Sequence, residues 1–295
     1  MIIQKLQSAG LMPCPKWMPD NTAYLTIMGS AAYGCSTDDS DIDIYGFCVP
    51  PRHIIFPHEA GVIFGFGKQP EKFEQYQQHH IKDPSGAKEY DFSIFSIIKY
   101  FQLCMENNPN LIASLFTPNN CVIHSTKISS IVRENRKLFL HKGAWFKFKG
   151  YSFAQMSKIK GGQNKSNPKR AATIEEHGYD LKFAMHVVRL LAEVEQIMIE
   201  GDLDLQRNRE QLKSIRRGEW SLERIQTYFD EKERSLEDVY TTSKLPHSPD
   251  EMVIRNILLN CLEEHYGDLS QVVKRDISVD ALMREMRQVI ERYGG

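Results

Sequence analysis

The sequence predicts an α+β fold. Strand-like segments gather in the first 125 residues, apolar residues recur at helical spacing through the remainder, and a 41% hydrophobic content over 295 residues suffices for a substantial core. Two domains are the expected organisation, residues 1–125 and residues 126–295, with the boundary near His124 to Lys127.

In chain order, Tyr24 to Met28 reads as a strand that ends at the small-residue turn Gly29-Ser30. Asp41 to Val49 is the second strand. Its start, Asp41-Ile42-Asp43-Ile44-Tyr45, alternates polar and apolar with period two, so both carboxylates leave one face while Ile42 and Ile44 point into a core. Gly61 to Phe66, Glu89 to Phe92 and Cys121 to His124 complete the predicted strands. Lys68 to Lys88, polar and carrying Pro70 and Pro84, reads as a surface insertion. Within it, His79-His80 lack any matching Cys, His or carboxylate spacing and read as solvated loop residues. Helices follow: Ser96 to Met105, then Asn110 to Phe116, for which Asn108 is the cap and Pro109 sits in the first turn. Ser125 to Leu140, Ala144 to Lys160, Thr173 to Glu200, Arg207 to Arg217, Ser221 to Thr242, Asp250 to Tyr266 and Ala281 to Tyr293 carry the same helical spacing.

The chemistry is concentrated between Gly29 and Gly46. Same-face neighbours on a strand lie roughly 6.5–7 Å apart. Asp41 and Asp43 can therefore share divalent cations that neutralise their repulsion, and hard oxygen ligands favour Mg²⁺ or Mn²⁺. Glycine at position 29 lets the backbone approach a phosphate, and Ser30 adds a hydroxyl and an N–H. Taken singly, a Gly-Ser turn or an Asp-x-Asp strand is commonplace; together they describe a phosphate cradle opposite a metal site. A calcium loop through Asp39, Asp41 and Asp43 fails, because Ile44 stands where glycine is needed and Pro50 where a bidentate glutamate belongs.

On these residues the chain resembles the nucleotidyltransferase superfamily that includes DNA polymerase beta, and within it the RNA-ligase-associated (RlaP) predicted nucleotidyltransferases. Gly29, Ser30, Asp41 and Asp43 carry the match. Softer support comes from Ser96, Lys99, Asn108-Pro109-Asn110, Lys149-Gly150-Tyr151, and His177-Gly178-Tyr179-Asp180-Leu181-Lys182 with His186 and Arg189. The resemblance implies a polymerase-beta-like α/β core with a mixed sheet, followed by a helical C-terminal domain that binds nucleotide or acceptor. It also implies a third acidic residue on a later strand, for which Asp91 is the candidate and Glu89 the competitor. Without the resemblance, Asp91 reads as a cap on a helix containing Ile94, Ile97, Ile98 and Phe101.

Tyr179, Lys182, His186 and Arg189 fall at helical offsets that form one stripe, either a wet surface or a phosphate and nucleotide contact. From Lys142 to Arg170 the chain carries basic residues, no acidic one, and interleaved aromatics. Lys149, Tyr151, Lys158 and Lys165 are the candidates there for holding single-stranded nucleic acid, the alternative being a basic surface over a buried aromatic face.

Net charge of -1 argues against wholesale coating of nucleic acid. Six cysteines without a Cys-x-x-Cys pair suggest neither a disulfide framework nor a zinc ribbon. No secretory signal opens the chain and no apolar run approaches the roughly 20 residues of a membrane span, so a soluble cytoplasmic protein without a membrane partner is expected. The expected reaction moves a nucleoside monophosphate from an NTP to a hydroxyl, with RNA as the preferred acceptor. A protein hydroxyl, a nucleotide-sugar reaction and a catalytically silent nucleotide or RNA binder are the alternatives.

Overall fold

A computed structural model describes residues 1–36, 42–83, 88–160, 168–273 and 286. The chain opens with α1 (Ile2–Ser8), followed by β1 (Thr22–Ile27), the short α2 (Gly29–Ala32), β2 (Ile42–Cys48) and α3 (Arg52–Ile55). Next come β3 (Gln75–Lys82), β4 (Glu89–Ser96), α4 (Ile97–Met105), α5 (Pro109–Leu115) and β5 (Val122–Ser125). The rest is helical: α6 (Lys127–Glu134), α7 (Gly143–Lys160), α8 (Pro168–His177), α9 (Leu181–Glu200), α10 (Arg209–Arg216), α11 (Leu222–Thr242) and α12 (Glu251–Tyr266). Among the described residues, no helix is long and apolar enough to cross a membrane.

The sheet has the order β3-β4-β2-β1-β5, with β2 and β4 parallel and the other pairs antiparallel. Alternation along each strand divides the apolar residues between two clusters. Leu25, Ile44, Ile81, Phe92 and Ile94 pack with Ile3 and Leu6 of α1 and with Met12 and Met18. Tyr24, Phe47 and Phe95 join the other cluster, which runs without interruption through Tyr100, Trp145, Phe148, Val187 and Leu190. Truncating a fully buried ring such as Phe47 to alanine costs about 3–5 kcal/mol. The predicted division near His124 to Lys127 falls between β5 and α6, and this larger cluster crosses it. Buried hydroxyls fasten β1 to the end of α5: Tyr24 Oη donates to the Ser114 carbonyl at 2.8 Å and Thr26 Oγ1 to Thr117 Oγ1 at 2.8 Å.

Four sequence expectations need correction. Gly61 to Phe66 forms no strand; its aromatic residues find no partner strand, and Phe64 and Phe66 stand exposed. Part of the predicted surface insertion is strand β3, an edge strand whose outward residues are polar, so it shows little apolar alternation. The predicted helix Thr173 to Glu200 is two helices, because Gly178 takes a left-handed φ of +80° and Asp180 caps α9, accepting from Lys182 N at 2.9 Å. Helix α6 likewise stops at Glu134, short of the expected Leu140. The predicted helix Ala281 to Tyr293 lies outside the described residues apart from position 286.

Candidate active site

Asp43 and Asp91 are register partners across the parallel pair β2 and β4, and Tyr45 and Ser93 form the next same-face pair. Neighbouring strands lie about 4.8 Å apart, so the two carboxylates start side by side on the sheet face that carries the larger core. The turn after β1 closes over the first of them. Met28 N donates to the Asp43 carbonyl at 2.7 Å, and Gly29 adopts φ +61°. A Cβ at Gly29 would lie 3.1 Å from Asp43 Cγ and nearer still to Oδ2, so both the backbone conformation and the close approach of the carboxylate require glycine. Ser30 follows, half-buried, with its carbonyl accepting from Cys35 N at 2.8 Å. Asp41, the other member of the predicted acidic pair, lies outside the described residues, as do Asp38 and Asp39.

Asp91 is gripped from the edge strand. Its Oδ1 accepts from His80 N at 2.8 Å, and its Oδ2 lies 3.3 Å from His79 Nδ1. Glu89, the competing carboxylate, pairs with the His80 imidazole. Asp91 does not cap a helix: β4 continues through Ile94 to Ser96, and it is Ser96 Oγ that caps α4, accepting from Lys99 N at 3.2 Å.

Tyr45 was not singled out by sequence, although period two from Asp43 places it on the same face. Its hydroxyl bonds to Ser93, whose Oγ in turn accepts from Gln77 Nε2 at 3.3 Å. Burial pushes the Tyr45 phenol above its ordinary pKa, and the charge of Asp43 adds to the shift while Arg189 opposes it. His79 was the other residue missed. The polar Gln-rich context hid the strand that presents it.

The predicted stripe on α9 divides. Tyr179 precedes the helix and is buried, donating to the Trp220 carbonyl at 2.6 Å. Lys182 is exposed and His186 half-buried. Arg189 is buried: its Nη1 donates to Glu193 Oε1 at 3.3 Å and to Tyr33 Oη, and its guanidinium carbon lies 4.6 Å from the Tyr33 ring centroid. Burial pushes the Glu193 carboxyl up, against the pull of Arg189. Tyr33 follows α2 directly, so this guanidinium braces the element that carries Gly29 and Ser30. In the basic segment, Lys149 lies 2.9 Å from Glu233 and from Glu237 of α11, Lys158 sits over the Phe183 ring, and Tyr151 accepts from Asn108 Nδ2 at 3.2 Å. Its aromatics also divide: Trp145 and Phe148 are core, while Phe146, Tyr151 and Phe153 are exposed. Lys165 lies outside the described residues.

Among the described residues, no three His, Cys, Asp or Glu side chains converge as a ready metal-binding group. The chemistry of the donors nonetheless fits a hard cation, since two carboxylates stand on adjacent strands of one face with a glycine turn against the first.

A mixed sheet thus sets two aspartates in register beside a Gly-Ser turn, with helices packed against the same face. The model of RlaP, the RNA repair pathway DNA polymerase beta family, matches residues 6–272, and the chain belongs to that family. Among solved structures, the chain is similar to a nucleotidyltransferase-like protein from Exiguobacterium sibiricum 255-15. The two are 10% identical, the match covers 98% of this chain and 86% of that one, and the TM-score is 0.29. No curated protein matches.

Proposed function

We propose that the protein transfers a nucleoside monophosphate from an NTP to a hydroxyl of RNA and releases pyrophosphate. The observation that carries this reading is the in-register placement of Asp43 and Asp91 with Gly29 packed on the Asp43 carboxylate. The acceptor oxygen forms a bond to the α-phosphorus as the bond from that phosphorus to the bridging oxygen breaks, and the β- and γ-phosphates leave together. Asp91, on the strand beside Asp43, takes up the proton that the acceptor gives away. The Gly29 backbone and the Ser30 hydroxyl hold the triphosphate, and Lys182 and His186 offset its charge. Arg189 acts on the same turn through Tyr33. Asp41, Asp43 and Asp91 are the residues that would hold Mg²⁺ or Mn²⁺, which when bound neutralises phosphate charge and acidifies the acceptor hydroxyl.

On the acceptor side, Tyr151 and Lys158 are the exposed residues of α7 that favour a nucleic-acid strand. Lys165 extends that surface in the sequence, and Lys149 joins it only by leaving Glu233 and Glu237.

The test is a pyrophosphate-release screen of the four NTPs with Mg²⁺ or Mn²⁺, comparing the unmodified protein with Asp43→Asn and with Asp41→Ala plus Asp43→Ala. Nearly all turnover should vanish in both variants while the fold persists. Equal turnover in all three removes the proposal. Labelled NTP offered to RNA and to protein fractions then reports the acceptor, and label on protein alone replaces RNA with a side-chain hydroxyl.

A further inference from the structure

The two histidines of β3 lie where the strand loses its register. Gln78 pairs with Phe92 and Ile81 with Tyr90, so His79 and His80 together face the single residue Asp91. This is a β-bulge, a device that re-aims side chains beside active sites. Without it, residues 77, 79 and 81 would share one face. With it, Ile81 turns to the core beneath the sheet while His79 stays on the face of Asp91. His80 holds the bulge at φ +58°, a left-handed conformation uncommon outside glycine, and its N–H fixes Asp91 Oδ1.

The remaining oxygen, Oδ2, then has His79 Nδ1 3.3 Å away. Two cis ligands of an octahedral divalent ion, each about 2.1 Å from it, are separated by about 3 Å. The imidazole is 56% exposed, so a hydrated cation can reach the pair. The geometry points to His79 as a nitrogen ligand of the cation at Asp91, giving this site a mixed nitrogen and oxygen donor set that selects Mn²⁺, or another imidazole-accepting first-row divalent ion, over Mg²⁺. Mg²⁺ favours oxygen donors, whereas imidazole suits transition ions. The inference rests on the metal-site reading of Asp43 and Asp91, and adds to it a residue and a metal preference.

The experiment uses the full chain, freed of metal by chelation and titrated with Mn²⁺ alone. Electron paramagnetic resonance gives the affinity, and electron spin-echo modulation reads coupling to ¹⁴N. The unmodified protein should show nitrogen coupling. His79→Gln should lose that coupling and bind Mn²⁺ at least about tenfold more weakly, with Mg²⁺ affinity, from competition, changed less than about threefold. Absence of nitrogen coupling in the unmodified protein overturns the inference without recourse to any variant. An equal loss of both cations in His79→Gln also overturns it, because His79 would then only orient Asp91 through a hydrogen bond. The two readings fail separately: nitrogen coupling without NTP turnover sinks the proposed reaction and leaves this ligand standing, and turnover without coupling does the reverse.

Discussion

Replacing Gly29 by alanine tests the site at its tightest point. The residue has φ +61°, where a side chain costs about 1–2 kcal/mol, and the new Cβ would meet the Asp43 carboxylate, with Cγ at 3.1 Å and Oδ2 closer. Restoring ordinary contact moves that carboxylate by about 1 Å. The strain alone should lower the melting temperature by a few degrees, at roughly 2–4 °C per kcal/mol in a chain of this size class. A misplacement of about 1 Å in a reacting constellation costs on the order of 100-fold in rate. Gly10→Ala is the matched control: φ there is +72° and nothing lies within 4 Å of the Cβ position, so it carries the strain without the clash. Melting curves and pyrophosphate release should show similar destabilisation in both variants, with turnover lost only in Gly29→Ala. Full turnover in Gly29→Ala, or equal loss in both, refutes the argument that the glycine exists to admit Asp43.

Removing Arg189 leaves Glu193 buried without its partner, and Arg189→Met should cost about 3–5 kcal/mol in urea denaturation, most of it recovered by adding Glu193→Leu; a loss under 1 kcal/mol would contradict a buried ion pair. His265 Nε2 donates to Asn21 Oδ1 across 2.9 Å, and burial holds its pKa below the ordinary 6.5. The unfolded chain therefore takes up that proton first as pH falls, so the stability of the unmodified protein is complete above about pH 6.5 and declines below it, while His265→Gln escapes this decline; a stability difference independent of pH would sink the assignment. Saturating Mn²⁺ at about 100 times its dissociation constant should add about 2.7 kcal/mol of stability, and Asp43→Asn should abolish most of the gain; an equal gain in both places the metal elsewhere. Lys149→Ala should cost less than about 1 kcal/mol and leave the salt dependence of RNA binding unchanged, because its ammonium already lies between Glu233 and Glu237; a reduced salt slope would assign it to the RNA surface instead.

What could be read in the sequence was what depends on near neighbours. The strand of Asp43 declared itself because Ile42 and Ile44 alternate with it, and Ile44 is indeed fully buried beneath the sheet. Asn108 and Pro109 marked the start of α5 because capping is local chemistry. Strand β3 escaped notice because an edge strand needs no apolar face of its own, and its bulge breaks the two-residue period at His79 and His80. The α9 stripe was legible as a spacing, but spacing does not reveal burial. Tyr179, Lys182, His186 and Arg189 share an offset pattern, yet Tyr179 and Arg189 are buried.

By itself the sequence determined the α+β class, the Gly-Ser turn and the carboxylate strand, since periodicity and turn chemistry act within a few residues of one another. Only the tertiary structure decided that Asp91, rather than Glu89, stands in register with Asp43, that two histidines of the adjoining edge strand meet Asp91, and that Arg189 braces Tyr33 next to the turn. Strand pairing and helix packing bring together residues far apart in the chain, such as Tyr33 and Arg189 at 156 positions, and no local pattern encodes which of them will meet.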